Sequence, residues 1–128
     1  MAQGDRIMDG SQHAGFAEAR AAFTAAEPVL PRPVLASGPR FHVREVRLAP
    51  GEATALHSHL HRTEHWVVVE GTAEVTIGLR SRLLGEGEAI QIPLGQMHRL
   101  ENPGRLPVTL MEVATGCYLG EDDLVRHD

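Results

Sequence analysis

The stretch Gly51–Gly71 reads GEATALHSHLHRTEHWVVVEG, and the spacing of its polar residues decides the fold class. Four of the chain's eight histidines fall here, His57, His59, His61 and His65, with Glu64 among them. His57 and His59 are one residue apart, so on a β-strand both imidazoles project from the same face. Glu64 opens EHWVVVE, a strongly β-prone run that can bring its carboxylate back towards that pair. Two imidazoles and a carboxylate on adjoining strands make most of a first-row transition-metal site. A second stretch, Gly87–Asn102 (GEAIQIPLGQMHRLEN), supplies a further ligand in His98, just after a Pro-x-Gly turn.

Both stretches fit a paired pattern. The first follows G-x5-H-x-H-x4-E-x6-G at Gly51, His57, His59, Glu64 and Gly71. The second follows G-x5-P-x-G-x2-H-x3-N at Gly87, Pro93, Gly95, His98 and Asn102. With these motifs the chain resembles the cupin superfamily. The phrases HRTEHWVVVEGTAEV, HRLENPG and YLGEDDLVR narrow the likeness to the C-terminal domain of type II phosphomannose isomerases, which is often fused to a GDP-mannose pyrophosphorylase. The resemblance runs from Phe41 to Arg126 and implies an all-β fold, the cupin double-stranded β-helix or jelly-roll barrel.

The same resemblance implies a site. His57, His59, Glu64 and His98 would hold one divalent transition metal (Mn, Fe, Co, Ni or Zn), leaving about two octahedral positions for water or substrate. A sugar phosphate is the implied substrate. The metal, as Lewis acid, would stabilise the enediolate through which mannose 6-phosphate and fructose 6-phosphate interconvert. His61 and Arg62 match the family beside the ligands and are the candidate catalytic residues. His61 suits either substrate contact or plain exposure, while Arg62 suits the phosphate, remote from the reacting carbons. The general base is open among His61, a hydroxide at the metal, and the carboxylates of Glu121, Asp122 and Asp123. The GEDD phrase also reads as a capped turn. Arg44 and Arg126 are further candidate cations.

Two departures matter. Family members usually carry Gln where this chain has His57, and the middle His of their trio is Leu60 here. Imidazole in place of an amide oxygen keeps a metal-binding set but alters the metal's acidity. The resulting set is equally that of metal-dependent dioxygenases, and cupins also serve as sugar- or metabolite-binding modules without turnover. Fold does not choose among these.

Strand alternation sorts the rest. His65 should lie on the face opposite Glu64, Trp66 on the same face as Glu64, and Arg99 away from His98. His13, His42 and His127 belong to no visible constellation.

Outside the motifs, 128 residues suit one domain with a genuine core, too short to include a nucleotidyltransferase as well. A formal charge of −5 and a pI near 5.9 argue against nucleic-acid binding. The single Cys117 excludes an intrachain disulfide and suits a reducing compartment. No apolar run reaches transmembrane length and MAQGDRIMDG lacks a signal-peptide pattern, so the reading is cytoplasmic, with no membrane partner.

Residues 1–40 read as an N-terminal extension and residues 41–128 as the barrel. Within the extension, SQHAGFAEARAAFTAA (11–26) has helical spacing, and PVLPRPVLASGPR (28–40) should run extended as a linker or edge strand. An apolar helix and an extended segment able to cover a sheet edge point to a homodimer. Beyond Phe41 the chain reads as short strands between turns, with EHWVVVE and TAEVTIGLR forming a hairpin about Gly71 in which Leu79 continues the buried face.

Overall fold

The computed structural model describes residues 33–128, and the predicted helix at 11–26 lies outside them. Ten strands alternate between two antiparallel sheets. They are β1 (Val34–Gly38), β2 (Phe41–Leu48), β3 (His57–Ser58), β4 (Arg62–Glu70), β5 (Ala73–Ile77), β6 (Arg80–Leu84), β7 (Ala89–Ile92), β8 (His98–Glu101), β9 (Val108–Gly116) and β10 (Val125–Arg126). One sheet has the order β1-β2-β9-β4-β7 and the other β10-β3-β8-β5-β6. This is the double-stranded β-helix. Val34–Gly38 is an edge strand on β2, as its proline-rich surroundings predict, so the first sheet takes in residues upstream of Phe41.

The inner face of the first sheet is graded. Across β2, β9 and β4, Leu48 lies opposite Val108, and Leu110 lies between Val46 and Val68. In the next row Glu112 lies between Arg44 and Trp66, and in the row after it Ala114 lies between His42 and Glu64. One end of the barrel is therefore filled with apolar side chains, joined by Val75, Leu84 and Leu100 from the second sheet. Each fully buried side chain of this kind contributes about 1.5–3 kcal/mol. The other end presents charged and imidazole groups to the same interior, and the site lies there.

The predicted hairpin is not formed. β4 belongs to the first sheet and β5 to the second, so Gly71 carries the chain across the barrel. It has φ +84°, and a Cβ there would come 2.5 Å from the Pro107 carbonyl oxygen. The hairpin lies further on, where Ile77 pairs with Arg80 about Gly78-Leu79. Gly78 has φ +60° and Leu79 a negative φ, the arrangement of a two-residue II′ turn. Leu79 is consequently fully exposed and not in the buried face.

Candidate metal centre

His57 ends its crossing on β3 with His98 of β8 as direct cross-strand partner, and the two rings have centroids 4.3 Å apart. His59 follows β3 in a loop tied to the second motif, since its carbonyl accepts from Gly95 N at 2.9 Å. Glu64 faces them from β4 in the opposite sheet. All four side chains are buried. The ligand nitrogens of His57, His59 and His98 lie within 4.8 Å of one another.

Each Nδ1 points to a backbone carbonyl: His57 to Ala55 at 2.7 Å, His59 to Asp123 at 2.5 Å, His98 to Gln96 at 2.9 Å. A carbonyl only accepts, so each Nδ1 carries the proton and each Nε2 presents a bare lone pair inwards. Such a second hydrogen bond is how ligating histidines are usually held. The Nε2 of His98 is buried without any partner. Glu64 Oε2 stands 3.3 Å from His59 Nε2, and Oε1 stands 3.7 Å from His98 Nε2. Lone pairs converging in a buried space are costly unless a cation joins them, so the residues present fit a divalent metal.

The electrostatics agree. Burial, with the neighbouring His98 adding to it, pushes the His57 imidazole down to about 4. Burial likewise lowers His98. At Glu64 burial works upwards, but the neighbouring His59 and Arg62 prevail and hold the carboxyl below its usual range. At neutral pH the cluster is thus two neutral imidazoles, at His57 and His98, with an ionised carboxylate beside them.

In sequence, the model family matching this chain is that described as mannose-6-phosphate isomerase C-terminal, over residues 18–128. The chain belongs to this family. Mannose-1-phosphate guanylyltransferase ManC of Salmonella typhimurium is 53% identical over 92 residues, 72% of this chain and 19% of that protein. The chain spans about one fifth of the length of the curated relatives it matches. Among solved structures, a sugar phosphate isomerase of the cupin superfamily from Silicibacter pomeroyi has TM-score 0.56 at 28% identity, over 59% of this chain and 50% of that one. A Klebsiella pneumoniae protein with a double-stranded β-helix domain has TM-score 0.68 at 23% identity, over 85% and 94% of the two chains, and supports the fold. The buried triad is consistent with a cupin metal site.

Within this isomerase-family domain the remaining predicted residues separate. Arg62 is the first residue of β4 and points inwards with Glu64 and Trp66. Its Nε donates to Glu64 Oε2 at 3.1 Å, its Nη2 stands 3.0 Å from the same oxygen as an ion pair, and Nη2 hydrogen-bonds His59 Nε2 at 3.4 Å. That puts the guanidinium beside the ligands, not remote from them. Gly116 lies opposite Arg62 on β9, where a Cβ would come within 2.1 Å of the His61 carbonyl oxygen. His61 is half exposed and does not line the pocket. It is held by Asp123, whose carboxylate accepts from Leu60 N, His61 N and His61 Nδ1 at 2.9, 3.0 and 3.1 Å. Asp123 thus anchors the ligand loop, while the GEDD phrase itself turns through Asp123 N donating to Gly120 O at 3.1 Å, and the Asp123 carbonyl also fixes His59.

His65 is exposed on the outer face of β4, and Trp66 is buried with its Nε1 donating to Glu64 Oε1 at 3.1 Å. Arg99 turns to Asp128 at 3.2 Å, away from the triad. Arg44 pairs with Glu121, and both line the open pocket that His57, His59, Arg62 and Glu64 also line. Two histidines thought unconnected are not. His42 is buried with Nε2 3.9 Å from Glu112, and His127 hydrogen-bonds Ser58 Oγ at 2.8 Å, next to the ligand strand. Glu112 was hidden in PVTLMEVATG, although an acid alternating with Leu110 and Ala114 at inward positions is itself a signal.

Proposed function

We propose that the chain is a metal-dependent aldose–ketose isomerase acting on a hexose 6-phosphate, interconverting mannose 6-phosphate and fructose 6-phosphate. The observation that carries this reading is the set of three inward Nε2 atoms, each fixed by an Nδ1 bond to a carbonyl, beside Glu64 in a domain of this family. His57, His59, Glu64 and His98 would hold one divalent metal from among Mn, Fe, Co, Ni and Zn. Bound there, the metal supplies a Lewis acid for the sugar's carbonyl and neighbouring hydroxyl.

The chain's own groups do the rest. Trp66 Nε1–H orients the Glu64 carboxylate. Arg62 has a buried Nη1 without a partner, able to donate to an oxygen on the reacting carbons. Arg44, lining the pocket beside Glu121, is the cation for the phosphate, with its Nε unpaired. His61, through Asp123, keeps the ligand loop in place at the pocket rim. A homodimer is part of the proposal, supported by the exposed Val34 and Leu35 on edge strand β1.

Elemental analysis of the purified protein, then an isomerase assay in turn with Mn, Fe, Co, Ni and Zn, tests this reading. Turnover of mannose 6-phosphate in at least one metal is expected. No isomerisation in any of them would replace it with a binding module, or with a dioxygenase if oxygen is consumed.

A further inference from the structure

A second acid faces the pocket, and nothing so far gives it a task. Glu112 occupies the middle of β9's inner face, with Arg44 of β2 and Trp66 of β4 as its direct cross-strand neighbours. It lines the same pocket as His57, His59 and Glu64 and sits in the register row next to that of Glu64. The residue opposite Glu64 on β9 is the small, fully buried Ala114.

The two acids are held very differently. Glu64 takes hydrogen bonds from Arg62 and Trp66. Glu112, 13% exposed, accepts no hydrogen bond from the described residues, and His42 Nε2 at 3.9 Å is its ion-pair contact. The Glu112 carboxylate is partly buried and opens onto the pocket, where an entering ligand can reach it.

Resting on the isomerase reading, we propose that Glu112 is the catalytic residue that carries the proton between the two adjacent carbons of the sugar phosphate. The ionised carboxylate takes the hydrogen from the carbon bearing the hydroxyl. The C–H electron pair becomes the double bond of the enediolate, and the carbonyl π pair moves onto its oxygen, which Arg62 Nη1 can meet. The hydroxyl proton passes to that oxygen, leaving the negative charge on the neighbouring carbon's oxygen, whose electron pair closes the new carbonyl as the double bond takes up a proton. The protonated Glu112 then delivers its proton to the former carbonyl carbon. Atoms and electrons balance with no co-reactant.

Charged groups on β2 and β4 surround the carboxyl. Burial raises it to about 8, the negative Glu64 adds to this, Arg62 and Arg44 pull it down, and Glu121 pushes it up again. His42 is the remaining titratable group at hand.

The test uses the full chain loaded with the metal that supports wild-type turnover. Glu112→Gln should lower kcat for mannose 6-phosphate by ~10²–10⁴-fold, with metal content and thermal midpoint retained. Glu112→Ala should be equally slow and be partly restored by formate, which can occupy the vacated carboxylate position. Wild-type turnover with Glu112→Gln within ~3-fold of it overturns the assignment of Glu112 alone. A slow Glu112→Ala that formate does not restore also counts against it. A wild type inactive in every metal instead overturns the isomerase reading, and the role of Glu112 with it.

Discussion

Acidifying the metal-free protein tests the buried triad without any assumption about substrate. His57 titrates near 6.5 when unfolded but is lowered to about 4 in the folded chain, by burial first and then by His98. Between these values the unfolded state binds a proton that the folded state refuses. The His57 contribution is therefore intact above pH 6.5 and is lost as pH falls towards 4. At about 1.4 kcal/mol per tenfold change in proton affinity, the gap amounts to about 3 kcal/mol. His98 and His42, both lowered mainly by burial, act in the same direction. Glu112 acts oppositely, because its raised folded value makes stability fall as pH rises from 4.5 towards 8. The wild-type profile alone mixes the two, so the quantity to measure is a difference. Urea unfolding in chelator, from pH 7.5 to 4, should show wild type losing about 3 kcal/mol more than His57→Gln, which has no ring to protonate. Glu112→Gln should diverge from wild type with the opposite slope. A His57→Gln curve parallel to wild type throughout would refute the reasoning, since His57 would then be no more buried from protons than in the unfolded chain.

Alanine at His59 or His98 should strip the metal from the purified protein while alanine at His65, exposed on the outer face of β4, should leave it, as read by elemental analysis. Asp123→Asn deprives the Leu60 and His61 amides of a charged acceptor; a loss of about 2 kcal/mol in urea unfolding and ~10–100-fold in metal affinity by competition titration is expected. Gly116→Ala drives a methyl into the His61 carbonyl and the Arg62 Cα at 2.1 and 2.9 Å, which should lower stability by about 1–3 kcal/mol and disturb the Arg62–Glu64 pair.

The ligand set is legible because its information is local. His57 and His59 need only strand alternation, and the two glycine-bounded motifs fix the spacing of Glu64 and His98. Strand pairing is not local. A period-two pattern states which residues share a face but not which strand lies alongside, so EHWVVVE and TAEVTIGLR read as a hairpin although the chain leaves the sheet at Gly71. The true turn at Gly78-Leu79 was masked because Leu79 keeps the apolar alternation while standing fully in solvent. The ties that orient the triad were equally hidden, since Ala55, Gln96 and Asp123 act through backbone carbonyls that any residue possesses.

Arg62 shows how a boundary of two residues changes a chemical reading. With the strand starting at Glu64, Arg62 belongs to a loop and is free to seek a distant phosphate. With the strand starting at Arg62, it stands at i, i+2, i+4 with Glu64 and Trp66, and alternation turns it inwards. An arginine so placed must find acceptors, and Glu64 Oε2 takes two of its nitrogens. It must also find room, which Gly116 across the ladder provides. What remains is Nη1, buried and unpaired beside the imidazoles. A buried donor without an acceptor costs about 1–3 kcal/mol, more when it is charged. Since the guanidinium cannot lose its proton, that cost is relieved only when an oxygen enters the pocket next to the ligand nitrogens, where a substrate oxygen would have to come for the chemistry proposed here.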